Sequence, residues 1–126
     1  MTVHFVLVEP IVPEDVGAAA RAIKTMGFTS LRLVKPCDHL GVSARRLAHA
    51  STEILESAAV YDRLEDAVAD CGLIVATTAK KRAHKGDSYP VETLSETTAW
   101  KADTVTDVAL VFGCEDRGLS NEELAL

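Results

Sequence analysis

The stretch VHFVLVEPIVPEDVGAAARAIKTMG, residues 3–27, holds a strand and the helix that follows it. Its first part is rich in β-branched residues and stops at Pro10, which predicts a β-strand. In its second part apolar residues recur at helical spacing until Gly27, the predicted end of the helix. A strand followed by such a helix is typical of a βαβ unit, in which successive strands lie parallel.

The rest of the chain repeats this alternation. Further strands are predicted in SLRLVKP, AAVYD, LIVATT and DVALVFG. Helices are predicted in SARRLAHAS with Ser43 as its cap, in RLEDAVADCG up to Gly72, and in VETLSETTAW. The continuous apolar runs LIVATT and DVALVFG predict strands buried on both faces. The pattern therefore predicts one α/β domain over residues 1–126, with a parallel sheet covered by helices on both sides.

Composition narrows the class of protein. The chain has 126 residues, 48% hydrophobic and 25% charged, which suits one globular domain with its own core. Because no apolar run is long enough to span a bilayer and no secretion signal is seen, we expect no membrane association. The cysteines, Cys37, Cys71 and Cys114, are distant from one another and odd in number. They predict a reduced cytoplasmic protein without disulfides or a structural metal site.

The charge distribution leaves two interpretations of nucleic-acid binding open. A net charge of -6 argues against general binding of nucleic acid, because contacts to phosphates need cations. The stretch KKRAHKGDSYP, however, concentrates basic residues directly after the predicted strand LIVATT. Ligands of open α/β sheets bind beside the carboxyl ends of strands, so this stretch is a candidate substrate loop. A basic run is also commonly just a solvated surface.

Familiar catalytic and phosphate-binding motifs are missing. The sequence has no GxGxxG after its first strand, no GxxxxGK[ST] and no GxSxG. The histidines have no serine or cysteine partner at a recognisable spacing and are expected to be ordinary: His4, His39, His49 and His84.

Three strand ends carry the remaining candidates. Arg21 lies on the alanine-rich helix after the first strand, where a guanidinium could grip a phosphate. Thr77 and Thr78 end the strand LIVATT with two hydroxyls. The stretch FGCEDRGLSNEEL, residues 112–124, lets the backbone approach a ligand at Gly113 and then forms a helix-capping pattern. From spacing alone, a plain strand-turn-helix junction explains this last stretch equally well.

Taken together, these stretches resemble a known family. FGCEDRGLSNEEL resembles the second motif of the SpoU/TrmH family of S-adenosylmethionine (SAM)-dependent RNA 2′-O-ribose methyltransferases, and VLVEP…EDVGAAARAIKTMG resembles the first. LIVATTAKKR is similar to the intervening strand and loop of the TrmJ and LasT-like branch. The resemblance covers almost the entire chain, in order and with similar spacing. It implies a parallel-sheet SPOUT-type domain with SAM bound at a C-terminal trefoil knot. Because the sequence ends at Leu126, before the family's third motif, the knot-forming segment is expected to be absent from it.

The resemblance also implies roles for individual residues, and no metal site. It makes Arg21 and Glu115 catalytic. It assigns SAM binding to Thr77, Thr78, Ala79 and Gly113. RNA binding is predicted from the basic run itself, at Lys80, Lys81, Arg82 and Lys85. Two positions depart from the family pattern: Asp15 lies where the family usually has asparagine, and Cys114 where close relatives often have arginine.

The function that the resemblance implies is transfer of a methyl group from SAM to a ribose 2′-hydroxyl of tRNA or rRNA, with tRNA favoured. A cytoplasmic homodimer is expected. Two alternatives remain open. The departures at Asp15 and Cys114 and the acidic charge suggest a non-catalytic RNA-binding module of the same fold. The alternation of strands and helices alone suggests a generic flavodoxin-like ligand or interaction domain.

Overall fold

The computed structural model describes residues 1–77 and 106–113. The predicted helix VETLSETTAW, the basic stretch and the second motif beyond Gly113 lie outside the described residues. The predicted strands are present as β1 (Thr2–Val8), β2 (Ser30–Val34), β3 (Ala59–Tyr61), β4 (Leu73–Ala76) and β5 (Asp107–Phe112). The helices are α1 (Pro13–Thr25), α2 (Val42–Ala48), α3 (Thr52–Glu56) and α4 (Leu64–Ala67).

The five strands form one sheet in the order β3-β2-β1-β5-β4, and every neighbouring pair is parallel. The α/β class with a parallel sheet is therefore confirmed. Thr2 pairs with Asp107 and Phe5 with both Leu31 and Leu110, so β1 joins the two halves of the sheet. A parallel pair cannot close through a tight turn, and helices lie between β1 and β2, between β2 and β3 and between β3 and β4.

Alternation along β1 divides the apolar residues between two cores. Phe5 and Leu7 face the side covered by α1, α2 and α3, where they pack with Val16 and Ile23. The opposite face carries a second core against α4. Its buried members are Val6, Val8, Val34, Leu64, Ala67, Val68, Ala109 and Val111.

Helix α1 begins and ends where the sequence predicts. Pro13 lies in its first turn, where a missing N–H costs nothing. After Thr25 the chain turns through Gly27, whose φ of 89° suits a residue without a side chain. The Phe28 amide donates to the Ile23 carbonyl at 3.0 Å, which satisfies an end group of the helix.

The segment after β2 differs from its prediction. Ser43 is not the cap of α2, because that position is taken by Gly41 and no side chain caps the helix. The helix also ends at Ala48 instead of continuing through Ser51. His49 has a φ of 50°, which no α-helix accepts, and a 3₁₀ turn then leads into α3, a helix that was not predicted.

Two further predictions were wrong: the burial of β4 and the end of α4. β4 was predicted to be buried on both faces, yet all its residues are partly or fully exposed, and Ile74 is 39% exposed. In the described part of the chain β4 pairs only with β5 and forms an edge of the sheet. An apolar run does not reveal whether a strand is central or at an edge. Helix α4 ends at Ala67, before the predicted end at Gly72.

Helices α1 and α2 approach each other closely at a glycine. A carbon added at Gly17 would collide with the carbonyl oxygen of Ala44 and lie 2.9 Å from its carbonyl carbon. Both atoms are backbone, so neither can rotate away. The absence of a side chain at Gly17 therefore sets how closely the two helices pack.

We predict that Gly17→Ala lowers the free energy of unfolding by about 2–3 kcal/mol, because α1 must move off α2 to admit the methyl group. Urea unfolding measures this loss. Ala22→Gly, on the exposed face of α1, is the control and should cost about 1 kcal/mol through helix propensity alone. If Gly17→Ala instead stabilised the protein, as a better helix former should, the helices would not be in tight contact.

Candidate functional site

The order of the strands locates a site before any side chain is considered. From β1 the chain moves outward to β2 and β3, then crosses to β4 and returns through β5 to the other side of β1. The direction of travel therefore reverses between β1 and β5. In open α/β sheets ligands bind outside the carboxyl ends of the strands at such a switch point. We call the row formed by the residues that follow β2, β1, β5 and β4 (Lys35, Glu9, Gly113 and Thr77) the carboxyl edge.

Thr77 and Gly113 lie at the ends of neighbouring strands on this edge, as the sequence predicts. The Thr77 amide donates to the Val111 carbonyl at 2.9 Å, and the Thr77 hydroxyl donates to the same oxygen at 3.1 Å. Gly113 follows β5 two residues after Val111 and is half-buried. That these two residues bind a cofactor stays a prediction.

Neither Thr77 nor Gly113 carries a charged side chain, and both donors of Thr77 are already bonded to the Val111 carbonyl. Gly113 has no side chain, so a flat ring could approach its backbone closely. A phosphate site would need cations or several converging amides. Among the described residues of the carboxyl edge, the cation is Lys35. It follows β2, so β1 lies between Lys35 and the end of β5.

Arg21 is on α1 and not at the carboxyl edge itself. At 1.5 Å of rise per residue it lies about 12 Å along the helix from Pro13, where α1 starts. Its side chain is exposed, and within residues 1–77 and 106–113 its guanidinium has no hydrogen-bond or salt-bridge partner. The structure thus presents Arg21 to solvent but shows no contact between it and Thr77 or Gly113.

The other predicted site residues lie outside the described residues. They are the SAM-binding Thr78 and Ala79, the RNA-binding Lys80, Lys81, Arg82 and Lys85, and the catalytic Glu115. Their roles stay predictions.

Sequence reasoning missed two residues at the carboxyl edge. Glu9 follows β1 with a φ of 48°, and Lys35 follows β2 with a φ of 44°. By itself Pro10 predicts only the end of a strand. A repeat in the sequence could have identified both residues, because β1 and β2 both end in Leu-Val-X-Pro.

A polar cluster occupies the opposite, amino end of the sheet. His4 is buried; its Nε2 lies 2.8 Å from Asp107 Oδ1 and its Nδ1 lies 2.6 Å from Ser30 Oγ. With Nε2–H donating to the carboxylate, Nδ1 accepts from the serine hydroxyl. The hydrogen bond from His4 lowers the pKa of Asp107. Sequence spacing did not predict this cluster, since its three residues lie on three different strands.

Arg32 and Asp70 form a forked ion pair beside this cluster. Two guanidinium nitrogens of Arg32 donate to the two carboxylate oxygens of Asp70, at 2.7 and 3.0 Å, and one also donates to the Ala67 carbonyl at 2.8 Å. The hydrogen bond from Arg32 holds the pKa of Asp70 well below its usual range. Burial raises the pKa of the neighbouring Cys71 thiol. These contacts tie the segment after α4 to β2.

Neither a metal site nor a membrane span is found within the described ranges. No three or more potential ligand side chains gather there, and none of those helices has the length and apolar character to cross a bilayer.

Comparison with known proteins decides the family. The model of the SpoU rRNA Methylase family matches residues 2–126. The chain belongs to the SpoU rRNA methylase family. It is 44% identical over 130 residues to the "Uncharacterized tRNA/rRNA methyltransferase LasT" of Escherichia coli K12, covering 100% of this chain and 55% of that protein. It is 40% identical over 123 residues to the "tRNA (cytidine/uridine-2′-O-)-methyltransferase TrmJ" of the same organism, covering 97% and 49%.

Solved structures agree with the SpoU assignment. A probable methyltransferase from Bordetella pertussis Tohama I matches with a TM-score of 0.87 and 39% identity, over 98% of this chain and 76% of that one. TrmJ from Z. mobilis ZM4 matches with a TM-score of 0.83 and 34% identity, over 100% and 56%. The chain thus spans about half the length of the curated SpoU relatives it matches.

We predict that Asp70→Asn lowers the free energy of unfolding at pH 7 by about 1 kcal/mol, a modest figure because the Asp70 side chain is 60% exposed and solvent screens the pair. The folded-state pKa of Asp70 is depressed, so its contribution is complete above the ordinary value of 3.8 and is lost as the pH falls toward the folded-state value. The difference between wild type and variant should therefore narrow below pH 3.8.

Urea unfolding at pH 7 and at successively lower pH values measures this difference. Asp66→Asn, which removes an exposed carboxylate from α4, controls for the change in net charge. A difference that stayed constant down the acid range would mean that the ion pair with Arg32 is not its cause.

Proposed function

We propose that the protein transfers a methyl group from SAM to a ribose 2′-hydroxyl of RNA. The observation that carries the proposal is the placement of Thr77 and Gly113 side by side at the switch point, in a chain that belongs to the SpoU family along its length. The name of TrmJ, 40% identical to this chain, specifies 2′-O-methylation of cytidine and uridine in tRNA. A structural neighbour, the SpoU methyltransferase AviRb, is described in complex with AdoMet, which is SAM.

In this proposal Thr77, Thr78, Ala79 and Gly113 hold the cofactor. SAM, when bound, supplies a methyl group on a positively charged sulfur, and the protein orients the RNA hydroxyl toward it. Correct alignment of the two reacting atoms would provide much of the rate. A glycine at the end of β5 would let the cofactor lie directly against the backbone.

Arg21 is proposed to grip an RNA phosphate or to stabilise the negative charge that develops on the ribose oxygen. Its planar guanidinium can donate two parallel hydrogen bonds to a phosphate. It stays protonated in proteins, so it does not itself accept the proton of the hydroxyl. Glu115, in the second motif, is the proposed acidic member of the same catalytic group.

The RNA is proposed to bind along the segment that carries Lys80, Lys81, Arg82 and Lys85. These cations would offset the overall charge of -6 where the phosphates approach. Transfer RNA is favoured over ribosomal RNA because of the TrmJ relative. A 2′-hydroxyl target also implies that the substrate is RNA and not DNA. We extend the proposal to a homodimer in the cytoplasm.

We predict that Arg21→Ala slows methyl transfer to RNA by about 100- to 1000-fold, the usual effect of removing a group that stabilises charge in the transition state. SAM affinity should be nearly unchanged, because Arg21 lies on α1 and the cofactor residues follow β4 and β5. Arg21→Lys should be almost as harmful, since lysine lacks the planar fork.

The measurement is transfer of a labelled methyl group from SAM to purified tRNA and rRNA, with calorimetry for SAM binding. Arg46→Ala, which removes an exposed arginine of α2, is the matched control and should retain activity. Equal losses of SAM binding and turnover would place Arg21 in the cofactor site. SAM binding by the wild type without methyl transfer to either RNA would favour the non-catalytic module.

We also predict that joint Lys80→Glu, Lys81→Glu and Arg82→Glu changes weaken binding to RNAs of many sequences. If these cations contact phosphates, the slope of log affinity against log salt concentration should fall by about 2–3, because fewer counterions are released. Arg63→Glu, before α4, is the control for added negative charge. An unchanged salt slope would return the basic run to an ordinary solvated surface.

A further inference from the structure

Two strands of the sheet end in the same unusual way. Leu7-Val8-Glu9-Pro10 closes β1 and Leu33-Val34-Lys35-Pro36 closes β2. Glu9 and Lys35 both have left-handed φ values, 48° and 44°. Each donates its amide to the carbonyl of the next strand, Glu9 to Val34 at 2.7 Å and Lys35 to Tyr61 at 2.9 Å.

This backbone is strained for the residues that adopt it. Residues other than glycine seldom adopt left-handed φ values. Among them, asparagine and aspartate do so most readily. A following proline restricts the preceding residue further. Strain of this kind persists where the surrounding structure enforces it and is concentrated at functional sites. Lys35 has the same backbone strain as Glu9, so strain alone does not identify a functional residue. The two residues differ in their positions in the sheet.

Position separates the two residues. The register pairs Leu7 with Phe112, so one step further along β1 and β5 sets Val8 beside Gly113, and Glu9 comes next. Neighbouring strands are about 4.8 Å apart, which brings Glu9 to the switch point next to the end of β5. Lys35 follows β2 and lies between Glu9 and β3, away from β5. Glu9 is also partly buried, whereas Lys35 is exposed.

Methylation of a hydroxyl group requires a proton acceptor. Arg21 cannot be that acceptor, because a guanidinium remains protonated, and Glu115 lies outside the described residues. A carboxylate can accept that proton. We propose that Glu9 is a further catalytic residue at the switch point, whose carboxylate accepts the proton of the ribose hydroxyl that is methylated. This inference rests on the proposed methyl transfer and adds a residue that the family resemblance did not assign.

The proposed step balances. The O–H bond of the ribose hydroxyl breaks as the oxygen forms its bond to the methyl carbon, and the proton passes to the Glu9 carboxylate and then to water. The electron pair of the broken carbon–sulfur bond stays on sulfur, which becomes neutral. The negative charge of Glu9 is consumed only transiently, so no further oxidant, reductant or co-reactant is needed.

The test compares Glu9 with Lys35, which has the same backbone. Glu9→Gln keeps the size of the side chain and removes its capacity as a base. We expect it to lower kcat about 100-fold or more, with KM for RNA and the affinity for SAM within about threefold of wild type. Glu9→Asn and Lys35→Asn relax the backbone equally. Both should raise the urea midpoint, whereas only Glu9→Asn should lose activity.

The outcomes distinguish this inference from the proposed function. If the wild type methylates RNA and Glu9→Gln does so within about threefold of it, Glu9 is not the acceptor and the proposed function stands. If Glu9→Asn lowers the urea midpoint while Lys35→Asn raises it, Glu9 serves the fold and the inference is overturned. If the wild type binds SAM but methylates neither tRNA nor rRNA, the proposed function fails, and the inference fails with it.

Discussion

The fold depends on the pairing of β1 with β5. Thr2 pairs with Asp107 and Leu7 with Phe112, so the first strand is joined to one that comes near the end of the sequence. Until this contact forms, β1 and β2 can pair, but the two halves of the sheet remain separate. The same pairing aligns the carboxyl ends of β1 and β5, which brings Glu9 and Gly113 to neighbouring strand ends. A single long-range contact thus completes the sheet and creates the switch point.

Patterns in the sequence predicted those features of the fold that depend on interactions between residues close in sequence. The limits of β1 and α1, and the turn at Gly27, followed from periodicity, a proline and a glycine. The neighbouring positions of Thr77 and Gly113 followed from a general property, since parallel strands align their carboxyl ends. The edge position of β4 did not follow, because it depends on which strand lies beside it. The same holds for His4, whose partners Ser30 and Asp107 are distant in sequence.

The described charges are used differently at the amino end of the sheet and on α1. At the amino end Arg32 is paired with Asp70, and His4 joins Asp107 and Ser30. These groups satisfy one another and stabilise the chain. Arg21 on α1 differs, because its guanidinium is exposed and has no described partner. A charged group without a described partner contributes little to the stability of the fold, and the catalytic role of Arg21 stays a prediction.

The alanine-rich composition of α1 has a mechanical consequence for Arg21. Gly17 lets α1 approach the Ala44 carbonyl, and one turn after Arg21 the Lys24 ammonium donates to the Ala50 carbonyl at 2.8 Å and pairs with Glu53. Residues 17, 21 and 24 share one side of a helix, because they are spaced by four and three positions. Arg21 is therefore located between two contacts that hold α1 against the next helices. Small side chains cost α1 some buried apolar surface, but they bring its backbone close to its neighbours. The long side chain of Arg21 then reaches outward from a helix whose position is fixed on both sides of it. The catalytic role proposed for Arg21 would benefit from this, because a reacting group must be held in position.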